Sequence, residues 1–365
     1  MHLNNGFRLD FVKSYIMGAI CLTGMNFVNS TYSNEFEAGS KQNIGIGQMP
    51  NVATDSNGNI HLVFGKGDSI MYSSSTDKGI SFSRPELVST LPELAASHMR
   101  GPQIASTENG LTIIACNMEG DIYSFNKSLH NQWSKSGRVN DVDTVAKENF
   151  IAITADGDNA FAVWLDLRGD HHNKIYGSRS TDGGKTWSTN RLIYASPDGT
   201  VCECCKLSLA VRGKDLYVMF RNWLKGNRDL YLLHSADLGN SFGSAQKLGV
   251  DSWELNGCPM DGGGLWINSN NVPQTVWRRR DKVYACTPGQ TERIIGEGNS
   301  CTMTSVNAKN IYAWVQNGTV TILKPDGQKL VLGNGFMPVL APSDDHSFVC
   351  VWENDKQIMA KKISL

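Results

Sequence analysis

One eight-residue pattern occurs three times in the chain, and it leaves few folds open. Ser75-Thr-Asp77-Lys-Gly79-Ile-Ser-Phe82 recurs as Ser180-Thr-Asp182-Gly-Gly184-Lys-Thr-Trp187 and as Ser235-Ala-Asp237-Leu-Gly239-Asn-Ser-Phe242. Each copy follows a strand-like run (SIMYSS, KIYGSR and LYLLHS). The order of residue types describes a hairpin. An Asp side chain bonds to backbone N–H groups of its own turn, Gly supplies a positive φ, and the aromatic returns to pack beneath the strands. The spacing of the copies fits one or two multiples of a unit of about 53 residues, the range of propeller blades.

Aligning on that unit exposes weaker copies. First strands are expected at Pro50-Asn-Val-Ala, Pro102-Gln-Ile-Ala, Phe150-Ile-Ala-Ile and Leu207-Ser-Leu-Ala, then at Pro259-Met, Thr302-Met-Thr and Pro338-Val-Leu-Ala. Each is followed by a second apolar run: IHLVF, LTIIAC, AFAVWL, LYVMF, PQTVW, IYAWV and SFVCVW. The 36 glycines, scattered with Ser, Asn and Asp between short apolar runs, suit a turn-rich chain better than a helical one. The expected fold is all-β: a β-propeller of seven blades, with six as the alternative if one weak unit is an insertion. The last unit ends after three strands, so residues around Glu35 to Gln42 are expected to supply the fourth and close the ring. Closure removes the sheet edges that would otherwise pair with other chains.

These boxes resemble the Asp boxes (BNR repeats) of the sialidase superfamily, and the repeat covers nearly all of residues 31–365. The resemblance implies a glycan-active or glycan-binding propeller. It also implies Phe/Tyr-Arg-Ile-Pro at the start of the first blade, the Arg holding a sialic carboxylate. Here that stretch reads Gly47-Gln48-Met49-Pro50, with a partial echo one blade later at His98-Met99-Arg100-Gly101-Pro102. The family's Tyr–Glu nucleophile pair has no match: Tyr284 and Tyr312 fall in or near expected strands, as packing residues. The family's acid Asp corresponds only to Asp68. Little turnover of simple α-sialosides is therefore expected.

The N-terminal residues read separately. Arg8 and Lys13 precede the apolar run SYIMGAICLTGMNFV, and Val28-Asn29-Ser30 offers a cleavage site, which together describe a secretory signal peptide over residues 1–30. The run is short against the ~20 residues of a spanning helix. The expectation is a secreted or periplasmic protein, with one propeller domain over residues 31–365 and no membrane span in the mature chain. With 34 Lys and Arg against 35 Asp and Glu, nothing supports nucleic-acid binding.

In a meandering blade the start of strand one and the end of strand two lie at the same end, near the axis. That mouth should collect Gln48, Arg100, Glu148, Cys202–Cys205, Cys258, Asp261 and Cys301 from first strands. From second strands it should collect Asp166, Arg168, Arg221, Arg278 and Glu353. Two readings compete. Arg100, Arg168, Arg221 and Arg278 present planar forks suited to the carboxylate or sulfate of an acidic glycan, with Asp166, Asp261 and Glu353 as candidate catalytic carboxylates. Alternatively these charges pair with one another across loops.

Val201-Cys202-Glu203-Cys204-Cys205-Lys206 is the least ordinary segment. Nine cysteines, less Cys21 with the leader, form an even set, which in an exported chain favours disulfides. Cys202, Cys204, Cys205, Cys258 and Cys301 are the disulfide candidates, including a vicinal Cys204–Cys205 bridge. The alternatives are a soft-metal site assisted by Met260 and redox chemistry. Because C-x-C-C matches no common zinc pattern, no metal or cofactor is expected. His171-His172 read as solvated loop residues. Three functions remain open: a glycan-active enzyme, a non-catalytic glycan- or protein-binding propeller, and an exported protein whose Cys cluster handles metal or redox chemistry.

Overall fold

The computed structural model describes residues 39–128 and 132–365, so the expected leader, its expected cleavage site and Cys21 lie outside the described residues. No helix occurs among the described residues, and none is long and apolar enough to cross a membrane. The strands form seven four-stranded antiparallel sheets, each a meander in chain order except the last. Seven blades therefore hold.

The second strands explain why the sheets form a ring. Each is apolar on both faces, as in Gly110–Cys116, where all seven residues are buried. Because side chains alternate across a strand, one face meets the preceding blade and the other the following one. In the first blade, Leu62 and Phe64 pack on Val349 and Val351 of the seventh, while Val63 packs on Ile104 and Ile113 of the second. The same alternation recurs around the ring: Ile114 with Trp164, Val163 with Phe220, Met219 with Trp277, Val276 with Trp314, and Ile311 with Phe348. The junction between blades seven and one is built like the other six, so the ring is closed. Fourth strands carry the outside, as the mostly exposed Glu86–Thr90 shows.

The last blade comprises Phe336–Asp344, Ser347–Asn354 and Gln357–Ser364, with Gln42–Ile46 paired antiparallel along its outer edge. The closing strand thus starts where the expected segment ends, at Gln42. A second shift concerns blade five, whose first strand is Gly264–Ile267, well after Pro259-Met260. Pro259 lacks an N–H for the ladder, and Gly263 at φ 74° turns the chain before pairing can begin. First strands line an axial channel of ≈ 460 Å³.

Candidate functional site: the mouth of the propeller

At six of the seven blades the chain enters the first strand through a residue in the left-handed region. These are Met49 (φ 56°), Met99 (71°), Asn149 (56°), Met260 (52°), Ser300 (52°) and Met337 (49°). None is glycine, so each is a conformation that the surroundings must hold. Carboxylates do part of that holding. Glu353 accepts the Met49 N–H at 3.1 Å and the Gln48 amide at 3.3 Å, tying blade seven to blade one. Asp261 accepts the Ser300 N–H at 2.9 Å and the Gly263 N–H at 3.2 Å, tying blade five to blade six. Asp166, fully buried, accepts Trp164 Nε1 at 2.7 Å and three donors of Arg168 at 2.8–2.9 Å. All three expected catalytic carboxylates are thus occupied by protein donors, and Asp166 and Asp261 are sealed from solvent.

The expected arginines divide in the same way. Arg221 is 1% exposed and donates to the carbonyls of Asp261, Arg228 and Arg278 at 3.1, 2.7 and 2.9 Å. It is a strut across blades four and five, with no fork left for a ligand. Arg168 is engaged by Asp166, by Asp141 at 3.0 Å and by Asn190 at 3.0 Å. Arg100 donates to the Glu148 and His98 carbonyls, lies 4.3 Å over the Phe150 ring and sits 3.8 Å from the Glu148 carboxylate. Arg278 is half-buried beside Trp253, donating to the carbonyls of Arg280 and Pro259. Its Nη2 has no partner among the described residues. The charge-pairing alternative therefore describes Arg100 and Arg168, and only Arg278 keeps a donor for the mouth.

A cluster that the repeat alignment found only in part, through Glu148 and the Cys202–Cys205 segment, sits between blades two and four. Glu148 is partly buried; burial pushes its carboxyl above the ordinary range and the charge of Glu203 adds to this, while Asn173 and Arg100 oppose it. Glu203 receives Arg228 through both terminal nitrogens, at 3.2 and 3.3 Å. Arg228 also stacks 4.6 Å from the ring of Trp223, which is 36% exposed. Around these residues Asn173 Oδ1, Asn222 Oδ1 and Arg228 Nε are buried without a hydrogen-bond partner. Unpaired buried polar atoms are rare in native interiors, and three of the eleven among the described residues meet in this one cluster. Arg228 lies inside a third strand, Asn227–Ser235, that extends past the usual blade length to the mouth, so its sequence position gives no sign of where it ends up.

The cysteines depart most from expectation. Cys204 and Cys258 form a disulfide, whereas Cys202, Cys205 and Cys301 are free buried thiols, as are Cys116, Cys286 and Cys350. The vicinal Cys204–Cys205 bridge is absent because Cys204 bonds across to the loop before blade five. Cys301 is sealed inside the contact of blades five and six, with Val276 and Trp314. Cys202, Cys204 and Cys205 place their sulfurs within 4.8 Å of one another, which is also a possible metal-ligand set. His171 and His172 are exposed, as expected for loop residues. Tyr312 is buried, and Tyr284 stacks on Trp277 and Arg279.

At the opposite end the three Asp boxes are built alike. Ser180 Oγ donates to Asp182 and accepts the Gly184 N–H at 2.8 Å, while Asp182 accepts the Thr186 N–H and hydroxyl at 2.9 and 2.6 Å. The boxes at Ser75, Asp77 and Gly79 and at Ser235, Asp237 and Gly239 repeat these bonds. The glycines lie at φ 79–82°, and Phe82, Trp187 and Phe242 pack against the blade cores.

Residues 47–197 match the family model of the BNR repeat-like domain. No curated protein gives a significant match to the sequence. Among solved structures, an ulvan lyase bound to a GlcA–Rha3S oligosaccharide is similar at 10% identity, covering 88% of this chain and 94% of that one, with a TM-score of 0.55. The Aleuria aurantia lectin in complex with Fucα1-6GlcNAc is similar at 10% identity, covering 81% and 98%, with a TM-score of 0.53. The NanB sialidase of Streptococcus pneumoniae is similar at 10% identity, covering 91% and 70%, with a TM-score of 0.46. At such identities the likeness concerns the fold. Taken together, the match over residues 47–197, the three intact Asp boxes and the closed seven-blade ring make the chain a seven-bladed β-propeller that carries a BNR repeat-like region similar to those of sialidase-like proteins.

Proposed function

We propose that this is an exported glycan-binding propeller whose mouth recognises an acidic sugar. The observation that carries the reading is the grouping of Glu148, Asn173, Glu203, Arg228 and Trp223 at one end. There, buried polar atoms lack protein partners beside a partly exposed indole. A sugar offers hydroxyls for such atoms and an apolar ring face for the indole. Arg278, with an unused nitrogen, supplies the charge for a carboxylate or sulfate. Similar propellers in complex with a uronic-acid-containing oligosaccharide and with a fucosylated sugar support a glycan in general. The acidic preference rests on the arginines.

The test is a panel of uronides, sulfated sugars, sialosides and neutral sugars, titrated calorimetrically into wild type, Trp223→Ala and Arg278→Ala. Acidic sugars should bind best. Removing Arg278 should weaken them roughly tenfold to a hundredfold, from the loss of one charge-assisted contact of about 1.5–3 kcal/mol. Arg278→Lys should recover part of that loss, because Lys lacks the planar fork. Binding unchanged in both alanine variants, or no binding across the panel, would remove the mouth as a glycan site.

A second, catalytic reading draws on Glu148 alone. A carboxyl raised by burial, next to a second carboxylate held by Arg228, is the arrangement of a proton donor beside an ionised partner. Under that reading Glu148→Gln keeps glycan affinity and loses turnover. Turnover surviving in Glu148→Gln would exclude it.

A further inference from the structure

Four of the mature chain's cysteines meet at the mouth in an unusual arrangement. Cys258 is exposed and bonded to buried Cys204. The Cys202 sulfur lies 3.6 Å from Cys204 and 3.5 Å from Cys205, and both Cys202 and Cys205 are free thiols, 1% exposed. Cys202 and Cys205 are the ends of a C-x-x-C segment. Arg228 Nη1 donates to the Cys202 sulfur at 3.1 Å. An exposed disulfide thus stands in front of a buried dithiol, with sulfur next to sulfur along the whole path.

We infer that Cys202, Cys204, Cys205 and Cys258 form a disulfide-exchange relay, in which the buried pair Cys202/Cys205 holds two electrons and the Cys204–Cys258 bond passes them to an organic disulfide at the mouth. The Cys202 thiolate attacks Cys204 Sγ; the Cys202–Cys204 bond forms, the Cys204–Cys258 bond breaks, and the electron pair leaves on Cys258. The Cys258 thiolate attacks R–S–S–R, forming a mixed disulfide and releasing one RS⁻. Cys205 then attacks Cys202, forming Cys202–Cys205 and expelling Cys204. Cys204 attacks Cys258 in the mixed disulfide, restoring the original bond and releasing the second RS⁻. In sum, two thiols of the protein become one disulfide, R–S–S–R becomes two RSH, and the protons of Cys202 and Cys205 end on those products.

The surroundings suit this order of events. Arg228 Nη1, 3.1 Å from the Cys202 sulfur, presents a positive charge that favours its thiolate. Cys205, 3.5 Å from Cys202 and 1% exposed, stands in place to attack once the Cys202–Cys204 bond has formed. Exchange rates depend on thiolate fraction and on access, and here the nucleophile is buried but adjacent to its target while the leaving sulfur is exposed.

The test is reaction of the native protein with oxidised glutathione, and in a parallel arm with a disulfide-bonded model protein. Thiols are quenched with N-ethylmaleimide and disulfides mapped by mass spectrometry. Wild type should release two equivalents of glutathione and end with Cys202–Cys205 bonded. Cys205→Ser should stop at one equivalent, trapped as a Cys258–glutathione adduct with Cys202–Cys204 bonded. Cys202→Ser, checked for folding by circular dichroism, should react at least tenfold more slowly. Reaction with the glutathione arm alone marks a small-molecule disulfide as the substrate, and reaction with the protein arm marks a protein disulfide. The relay is overturned if Cys204–Cys258 persists in wild type in both arms, or if Cys202→Ser and Cys205→Ser both release two equivalents. It is also overturned if the reduced protein binds one equivalent of Zn²⁺ through all four cysteines and the zinc-free protein does not exchange.

Discussion

The two ends of the propeller are built on opposite plans. At the Asp-box end, three turns repeat the same Ser, Asp and Gly contacts, and their polar groups bond to one another. Each box glycine also meets the second strand of the preceding blade: a Cβ on Gly79, Gly184 or Gly239 would lie 2.1, 2.4 or 2.6 Å from Val349, Thr112 or Phe161. That end welds blades together with one repeated device. At the mouth the blades share only a left-handed entry residue, and the fourth blade replaces even that with the Cys202–Cys205 segment. At the mouth three unpartnered polar atoms, on Asn173, Asn222 and Arg228, meet in one cluster and belong to no repeat, whereas at the box end those of Arg179 and Trp187 lie in a single box. A repeat satisfied within itself has nothing to offer a ligand, so binding chemistry is expected where the repeat breaks down.

This contrast breaks if the glycines of the repeat prove dispensable. Gly184→Ala combines positive φ with close approach to the Thr112 side chain and should cost roughly 2–4 kcal/mol, read as a lowered denaturation midpoint. A loss under about 0.5 kcal/mol would mean the boxes are not welds. Ser180→Ala should cost less, about 1–3 kcal/mol, because it leaves the buried Gly184 N–H without its acceptor.

Acid should act on the same end. Asp237 is held down at about 2, first by the Ser241 hydroxyl, and Asp77 and Asp182 are also lowered, as hydrogen bonds from their own turns outweigh burial. A carboxylate with a depressed folded pKa stabilises fully above its unfolded value, near 4, and that contribution is lost as pH falls toward 2. The thermal midpoint of wild type should therefore drop between pH 4 and 2. A variant with Asn at all three positions should start lower and drop less. Equal slopes would place the acid sensitivity elsewhere.

Mouth variants sharpen the comparison from the other side. Arg278→Ala and Trp223→Ala should change stability by no more than about 0.5–1 kcal/mol while weakening sugar binding. The smallest effect is Glu148→Gln. Because Glu148 is raised in the folded state, its ionisation opposes folding as pH rises past the ordinary carboxylate range. The amide should leave stability at pH 7 equal or slightly higher and remove part of its pH dependence; a clear loss would mean the Arg100 contact outweighs burial.

The sequence alone determined the architecture. The pattern S-x-D-x-G-x-x-[FW] and the paired apolar runs are local facts: a turn needs its own Asp and Gly, and a strand buried on both faces needs apolar residues throughout. They gave seven blades and the final sheet shared with an N-terminal strand. The alignment also placed Arg100, Glu148, Arg221, Arg278 and the cysteines at one end, since strand ends follow from strand order. Only the tertiary structure decided what those residues do there. Arg221 became an internal strut because carbonyls of the next blade reach it first, and Asp166 because the indole of Trp164 and the guanidinium of Arg168, two residues away on either side, fold back onto it. Arg228 arrived at the mouth on an overlong third strand, and Cys204 chose Cys258 over its neighbour Cys205. Such outcomes depend on which of several groups, near and far along the chain, reaches a shared partner first, and spacing along a chain carries no record of who wins.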